Sequence, residues 1–292
     1  MTGSETIAVT GATGQLGRLV IADLLARTPT PHIIAMVRTP AAAQDLADRG
    51  VELRAADYED PAAVAAALTG VDKVLLISSS AVGQRAAHHR SVIEAAAAAG
   101  VTLLAYTSIL HADTNPMLLG TEHRETEALL AASGLPYALL RNGWYTENYT
   151  AAALPAVQHG AVLGSSGDGR ISSAARADFA AAAAAVLTST EEQAGKVYEL
   201  AGDSAYTLSD YAAELARQSG KPVAYQDLPE ADFAAALESM GLPAALAKAL
   251  ADSSVQTKAG ALFDDSGDLR RLIGRPTTPL AETVAAALAT AG

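Results

Sequence analysis

Three glycines near the start of the chain have a spacing that suits close approach of the backbone to a phosphate. The sequence from Thr10 to Gly17 is TGATGQLG, which has the pattern Gly-x-x-Gly-x-x-Gly. Such a turn, placed between a strand and a helix, presents main-chain N–H groups and the partial positive charge of the helix N-terminus to a pyrophosphate. The apolar run Ile7–Val9 comes before it and a helical pattern follows it. We therefore favour a dinucleotide site over an ordinary glycine-rich turn. The predicted contacts are Gly11, Ala12, Thr13, Gly14, Gln15, Leu16 and Gly17.

A basic residue stands at the position that distinguishes NAD from NADP in folds of this type. Arg38 ends the second predicted strand, and the next acidic residue along the chain is Asp45. NAD-selective folds place an Asp or Glu near this position, whereas a guanidinium suits the 2′-phosphate of NADP. The alternative is a solvated arginine at a strand end. We predict a preference for NADP.

Further polar residues follow the later strands. Asp57 could reach the adenine edge, although capping of the next helix by Asp57 or Asp60 is an equal alternative. A serine run after the fourth strand falls at the topological switch point, where short hydroxyls allow a ribose to approach. Arg85 could meet phosphate or substrate, or belong to a plain polar loop. The predicted cofactor contacts in these segments are Asp57, Ser78, Ser79, Ser80, Arg85 and Thr107.

The catalytic pair of the standard short-chain dehydrogenases is missing. In those enzymes a serine after the fifth strand is followed by Tyr-x-x-x-Lys, in which tyrosine donates the proton and lysine lowers its pKa. Here Thr107-Ser108 is followed by ILHADTNPMLLGTEHRETEALL, which has no tyrosine and no lysine. His123 and Glu127 stand at the corresponding place. His123 is interpreted as a surface helix residue unless it donates a proton or binds ribose, and His111 is left open.

An aromatic and polar cluster follows the sixth predicted strand. The segment NGWYTENY contains the single tryptophan of the chain and two of its nine tyrosines. This composition suits a nicotinamide and a flat acceptor, whereas packing of Trp144 and Tyr145 between lobes is the alternative. His88-His89 is interpreted as a helix-surface pair, and no metal site is predicted. The predicted cofactor contacts in this segment are Asn142, Gly143, Trp144, Tyr145, Thr146 and Glu147.

Composition excludes several classes of protein. The 292 residues carry a formal net charge of −12, which disfavours nucleic-acid binding. There is no cysteine, so disulfides, thiolate metal sites and cysteine nucleophiles are excluded. No signal peptide or membrane-spanning segment is evident, and we expect a soluble cytoplasmic protein. The sequence is compatible with a homodimer.

Strand and helix patterns alternate through the first half of the chain. The strands are near-continuous apolar runs, as parallel strands covered on both faces require. This order predicts an α/β fold, a Rossmann-type doubly wound parallel sheet with a smaller, mostly helical C-terminal lobe. Residues 1–150 are predicted to form the NADP-binding domain. Residues 151–292 are predicted to form the substrate-binding lobe, with a strand and a helix that return to the Rossmann core.

Taken together, these motifs resemble a known family. TGATGQLG, AMVR, LLISSS, YTS and LRNGWYTEN are similar to the NmrA-like branch of the atypical short-chain dehydrogenases, in particular its NAD(P)H:quinone oxidoreductase type 2 members. The similarity extends over essentially the full length, including the tail FDDSGDLRRLIGRPTTPLAE. It implies an NADPH-dependent quinone reductase without flavin. It also implies that Asn148 lies near the nicotinamide and Ala174 near the quinone, and that the quinone oxygen receives a hydrogen bond from Asn148, Tyr145 or a ribose hydroxyl.

Two other interpretations stay open at this point. Some NmrA-like proteins sense the NADP redox state and regulate a partner without catalysis. The tail DDSGDLRRLIG also suggests a dehydratase or isomerase of the extended short-chain type, but the missing Tyr–Lys pair counts against it.

Overall fold

The computed structural model describes residues 5–27, 29–81 and 83–289. Its main element is a seven-stranded sheet with the strand order β3-β2-β1-β4-β5-β6-β8. The pairs β1–β2, β1–β4, β2–β3 and β4–β5 are parallel. The strands are β1 (Thr6–Val9), β2 (His32–Val37), β3 (Glu52–Ala55), β4 (Lys73–Leu76), β5 (Leu103–Ile109), β6 (Tyr137–Asn142) and β8 (Val197–Leu200). A separate parallel pair consists of β7 (Ala161–Gly164) and β9 (Ala224–Asp227).

Helices connect these strands. They are α1 (Gln15–Ala26), α2 (Gln44–Ala47), α3 (Pro61–Ala67), α4 (Arg85–Ala99), α5 (Leu118–Ser133), α6 (Glu147–Thr150), α7 (Ala153–His159), α8 (Arg176–Leu187), α9 (Leu208–Ser219), α10 (Glu230–Ser239), α11 (Ala244–Gln256), α12 (Asp268–Ile273) and α13 (Leu280–Ala289). Short 3₁₀ turns cover Pro40–Ala43 and Thr257–Ala259. In the part of the chain that is described, no helix combines the length and the apolar character needed to cross a membrane.

The strand order confirms the predicted doubly wound fold. β1 lies between β2 and β4, so the direction in which the strands are added reverses at β1. Such a reversal opens a crevice at the carboxyl ends of the strands, where ligands bind in folds of this type. The central strand β4 is buried over its whole length, as covered parallel strands require.

The chain forms two compact units. The first contains residues 1–109, 122–141 and 179–198, and the second contains residues 110–121, 142–178 and 199–292. The second unit therefore includes residues 142–150, which the sequence interpretation assigned to the first domain. The first unit includes most of α8 and the start of β8, the helix and strand predicted to rejoin the Rossmann core. The assignment of one domain to NADP and the other to substrate stays a prediction.

Candidate functional site

The glycine-rich turn leads from β1 directly into α1. The N–H of Gly14 donates to the Gly11 carbonyl at 2.9 Å, and the N–H of Arg18 donates to the Gly14 carbonyl at 3.0 Å. Gly11 has a φ of 57°, in the left-handed region that favours glycine. A Cβ on Gly17 would lie 2.8 Å from the Cα of Ala12, so the start of α1 packs directly on the turn. Because glycines stand before and in the first turn of α1, no side chain covers the main chain there. A phosphate can therefore approach the N–H groups at the helix N-terminus.

Arg38 stands at the end of β2 with its side chain exposed. It forms no ion pair with any described residue. Asp45, the nearest later acidic residue in sequence, pairs instead with Arg18, whose hydrogen bond lowers the pKa of the Asp45 carboxyl. The carboxylate is therefore engaged by another arginine, while the Arg38 guanidinium can accept an anion. This arrangement fits a 2′-phosphate.

Tyr58 is a residue at this end of the sheet that the sequence reasoning missed. Burial raises the pKa of its phenol, and interactions with the Thr10 side chain, the Gly11 backbone and Arg38 oppose that rise. The neighbouring Asp57 is exposed, and its carboxylate accepts a hydrogen bond from the N–H of Glu59 at 3.1 Å. Of the two proposed caps of α3, the structure selects Asp60, which accepts from two N–H groups of that helix. The adenine contact of Asp57 stays a prediction.

Side chains tie together the carboxyl ends of β1, β4 and β5. The N–H of Ile77 donates to the Thr10 hydroxyl at 2.9 Å, and the N–H of Ser78 donates to the Thr107 hydroxyl at 2.8 Å. The N–H of Ser79 donates to Nε2 of His89 at 2.9 Å. In this segment after β4, residues 77–80, which we call the serine loop, three successive N–H groups are thus already bonded. The Ser79 hydroxyl is bonded as well, whereas the Ser80 side chain is exposed and can meet a ligand.

Arg85 is buried beneath the same loop. Its Nε donates to the Ser79 carbonyl at 2.7 Å, and its guanidinium pairs with Glu122 at 3.1 Å. Glu122 also accepts from the N–H of Gly83 at 2.7 Å. With 6% of its surface exposed, Arg85 holds the loop in place. Its predicted direct contact with the cofactor stays a prediction.

The predicted surface pair His88-His89 is wrong. Successive residues of a helix point about 100° apart, and here His88 is half-buried while His89 is fully buried. Nε2 of His89 accepts the Ser79 N–H, so Nδ1 carries the proton and donates to the Thr126 hydroxyl at 2.9 Å. Burial lowers the pKa of His89 to about 3, with Arg85 and His88 adding to the shift. The histidine is a neutral support of the serine loop.

His123 is also buried, which corrects its interpretation as a surface residue. Its Nδ1 lies 2.8 Å from the hydroxyl of Tyr106, and burial lowers its pKa well below the ordinary value. Glu127, one helical turn later, pairs with Arg141 at 2.8 Å and accepts from the Ser108 hydroxyl at 2.6 Å. The residues at the place of the missing Tyr–Lys pair are therefore bonded to other side chains of the protein, His123 to Tyr106 and Glu127 to Ser108 and Arg141.

In the second unit, the segment after β6 lies beside Ala174. The N–H of Ala174 donates to the Trp144 carbonyl at 3.2 Å, and the N–H of Thr146 donates to the Ala174 carbonyl at 2.9 Å. The structure thus brings together the predicted nicotinamide segment and the predicted quinone turn. Gly143 is needed here because a Cβ would lie 3.0 Å from the Leu200 carbonyl. Ala174 itself is fully buried.

One buried atom of this segment has its hydrogen-bonding capacity unused. Oδ1 of Asn142 is buried and has no hydrogen-bond partner among the described residues. Its Nδ2 donates to the hydroxyl of Tyr145 at 3.4 Å. A buried acceptor without a donor costs about 1–3 kcal/mol, so this oxygen fits a ligand that brings its own N–H or O–H. A carboxamide such as that of nicotinamide has that donor.

Arg176 contacts two residues of the same segment, Tyr145 and Glu147. Both carboxylate oxygens of Glu147 accept the N–H of Arg176 at 3.0 Å, and the Arg176 guanidinium lies 4.7 Å from the centre of the Tyr145 ring. Burial raises the pKa of Tyr145, so its phenol is protonated at neutral pH. Tyr145 is therefore a hydrogen-bond donor and not a base.

A cavity of about 640 Å³ opens beside this segment, within the second unit. Trp144, Asn148 and Tyr149 line it, together with apolar residues of α7, β7, α9, α10 and α11. Asn148 is exposed, and its N–H is fixed by the Tyr145 carbonyl at 3.0 Å. The volume lies in the range of pockets for small organic ligands, about 300–1,000 Å³.

His111 has a structural environment of its own. It has a φ of 52°, and its N–H donates to Glu199 at 2.8 Å. Its ring lies 3.6 Å from both Glu199 and Asp264. Across the described ranges, no group of three or more histidines or carboxylates is arranged to hold a metal ion.

Comparison with known proteins shows which family the chain belongs to. A family model described as NAD(P)H-binding matches residues 11–190. Quinone oxidoreductase 2 of Escherichia coli is 62% identical over 278 residues, which cover 95% of this chain and 97% of that protein. The crystal structure of the Escherichia coli NADPH-dependent quinone oxidoreductase complexed with NADPH superposes with a TM-score of 0.93 at 61% identity, covering 97% of this chain and 99% of that one. The triphenylmethane reductase of Citrobacter sp. complexed with NADP(H) follows with a TM-score of 0.91 at 37% identity, covering 96% and 99%. The chain therefore belongs to the NAD(P)H-binding family that includes quinone oxidoreductase 2, as the NmrA-like resemblance of its motifs predicted.

Proposed function

We propose that this protein is an NADPH-dependent quinone reductase that works without flavin. The observation that carries the proposal is the near full-length similarity to quinone oxidoreductase 2. The structure adds three features that fit NADPH: the glycine cradle before α1, the exposed guanidinium of Arg38, and the buried oxygen of Asn142, of which the last two find no partner among the described residues.

The proposal gives each group of residues a task. The glycine turn would hold the pyrophosphate, Arg38 the 2′-phosphate and the serine loop the ribose. Asn142 would accept a hydrogen bond from the carboxamide of the nicotinamide. The remaining predicted contacts, Asp57, Arg85, Thr107, Gly143, Trp144, Thr146 and Glu147, stay part of the proposal.

The reduction of a quinone requires few catalytic groups from the protein. Reduced nicotinamide, when bound, supplies a hydride, and water supplies one proton, so a quinone becomes a hydroquinone. The chain has to align the acceptor and donate a hydrogen bond to the oxygen that gains charge. The amide of Asn148 and the protonated phenol of Tyr145 are the proposed donors. No buried acid–base pair is required, which agrees with the bonded cluster at the Tyr–Lys position.

The direct test is oxidation of NADPH with simple benzoquinones, followed at the nicotinamide absorbance and compared with NADH. Turnover well above background, with NADPH preferred, supports the proposal. Tight NADPH binding without turnover of any quinone would favour the redox-sensing alternative instead.

Arg38→Ala is expected to raise the KM for NADPH at least about ten-fold, because charge-assisted hydrogen bonds contribute roughly 1.5–3 kcal/mol each. The KM for NADH, which has no 2′-phosphate, should change less than about two-fold. Steady-state kinetics with both cofactors and one fixed quinone measure this. Equal increases for the two cofactors would reject the role of Arg38.

Asn148→Ala is expected to lower kcat with benzoquinone about ten-fold, the value of one hydrogen bond of ~1.4 kcal/mol. The exposed side chain has no buried packing to lose, so the unfolding midpoint should not change. An unchanged kcat would remove Asn148 from the reaction.

We propose further that the protein acts in the cytoplasm on a small-molecule quinone, without nucleic acid, and that it can form a homodimer. The strongly negative net charge supports the exclusion of nucleic acid. Size-exclusion chromatography with light scattering tests the dimer.

A further inference from the structure

The cavity in the second unit is larger than a quinone ring needs. A pocket of about 640 Å³ holds a drug-sized molecule, and an unsubstituted benzoquinone would leave most of it unfilled. Trp144 and Asn148 are part of its wall, so the space adjoins the segment proposed to act on the acceptor.

The wall of this cavity is apolar. Leucine and phenylalanine side chains of β7, α9, α10 and α11 line it, together with Met240 and Leu262, and no carboxylate, ammonium or guanidinium group is found among its described lining residues. Two of its phenols, Tyr149 and Tyr211, have pKa values raised by burial and are neutral. Of the described lining residues only His159 has an ionisable nitrogen, so a carboxylate placed in the cavity away from it would lose its water without gaining a charged partner.

Helix α10 leaves part of this wall uncovered. None of its residues is fully buried, yet Phe233 and Leu237, one helical turn apart, both line the cavity. Both side chains are only half-buried by the protein itself. An apolar ligand that covered them would remove apolar surface from water, and each fully buried methylene raises affinity by up to about four-fold.

We propose that the cavity binds an apolar side chain of the acceptor, so that the preferred substrate is a neutral quinone carrying an alkyl or prenyl chain. This inference rests on the proposed quinone reductase function and extends it from the ring to its substituent. The ring would lie against the Trp144–Asn148 segment and the chain would occupy the space bounded by Phe233 and Leu237.

The first test compares 2-methyl-1,4-benzoquinone, 2-hexyl-1,4-benzoquinone and the hexanoate analogue that ends in a carboxylate. Methyl and hexyl groups have similar electronic effects on the ring, so a difference in kcat/KM reports the cavity. We expect the KM to fall at least about ten-fold from methyl to hexyl, within the limit of four-fold per methylene. The carboxylate should cancel this gain.

The single tryptophan gives a second measurement that needs no turnover. Trp144 lines the cavity, so quinone binding should quench its fluorescence. Titration of the whole protein should give a Kd for the hexyl quinone at least about ten-fold below that for the methyl quinone.

Leu237→Asp places a charge in the wall and should reduce the hexyl-to-methyl ratio of kcat/KM to near one. Ala235→Asp is the matched control, because it adds the same charge at an exposed position of α10 that does not line the cavity. The control should keep the ratio of the wild type. The inference would be overturned if the methyl and hexyl quinones had equal KM values. It would also be overturned if Leu237→Asp kept the wild-type hexyl-to-methyl ratio of kcat/KM. Either result would leave the quinone reductase function standing. Absence of turnover with every quinone would overturn the proposed function, and equal quenching by the two quinones would then overturn the cavity assignment as well.

Discussion

Gly17→Ala is expected to reduce the affinity for NADPH at least about 30-fold and to lower the free energy of unfolding by about 1–3 kcal/mol, the usual cost of overpacking. A methyl group at this position would lie 2.8 Å from the Cα of Ala12 and even closer to the Gly11 carbonyl oxygen. Both contacts are backbone, so relief requires α1 to move away from the turn. The N–H groups at the start of that helix would then no longer face the phosphates.

The expected direction is the opposite of what helix propensity alone predicts. Gly17 lies inside α1, where alanine in place of glycine normally stabilises by about 0.5–1 kcal/mol. A decrease in stability therefore reports the contact with the turn. Gly14→Ala is the matched control, because its Cβ would lie 3.1 Å from the Gly11 carbonyl oxygen in an ordinary backbone conformation.

Urea unfolding without cofactor and calorimetric titration with NADPH separate the two effects. Gly17→Ala should lose stability and affinity together, whereas Gly14→Ala should lose affinity while keeping most of its stability. A Gly17→Ala protein as stable as the wild type that binds NADPH normally would show that the turn does not form the cradle described above.

The sequence was sufficient to predict the sheet because its strands have a strong pattern. Covered parallel strands are apolar at nearly every position, and β6 (Tyr137–Asn142) is buried at every residue but its first. Local chemistry also fixed several helix ends: Asp60 caps α3 before Pro61, and Gly100 ends α4 with a φ of 72°. These features depend on neighbouring residues alone.

Features that depend on distant residues were missed. Strand β9, with the sequence AYQD, is short, polar and mostly exposed, and it forms only by pairing with β7. The alanine-rich helix α4 has no clear polar face, so its pattern could not show that His89 points inward. Tyr58 and the apolar cavity likewise result from segments far apart in the sequence.

The predicted cofactor contacts depend partly on neighbouring residues and partly on distant ones. The glycine motif and Arg38 stand at strand ends, where the fold class predicts ligands, and the structure shows them with suitable geometry. Arg85 was chosen on the same basis, yet it is buried against the Ser79 carbonyl and Glu122. Charge type alone could not show that Arg85 supports the loop, and its contact with the cofactor stays a prediction.

Acidification from pH 7 to pH 5 is expected to lower the free energy of unfolding by about 2 kcal/mol through His89 alone. In the folded protein the pKa of His89 is lowered from 6.5 to about 3. Below pH 6.5 the unfolded chain therefore takes up a proton that the folded protein does not, and stability falls until the pH approaches 3. His123, whose pKa is lowered by burial, Arg85 and His89, acts in the same direction.

Between pH 7 and pH 5 the histidines affect the free energy of unfolding, whereas the carboxylates contribute little to its change. Asp45, Glu214 and Asp227 have lowered pKa values, so the stability that they add is lost only as the pH falls below their ordinary values of 3.8 to 4.5. Protonation of His89 would also displace the Ser79 N–H from Nε2. Because the folded protein keeps His89 neutral down to about pH 3, this bond should persist at pH 5 and the serine loop should keep its geometry in the folded protein.

His89→Asn removes the titrating group, and Val92→Ala is its control, since Val92 is fully buried in the same helix and does not titrate. Both substitutions should destabilise the protein at pH 7. Only His89→Asn should reduce the difference between the unfolding free energies at pH 7 and pH 5, by about 2 kcal/mol, while Val92→Ala keeps that difference. The measurement is urea unfolding of the three proteins at both pH values. An equal pH difference in His89→Asn and the wild type would mean that His89 is not held neutral, and the bonds assigned to its two ring nitrogens would then be wrong.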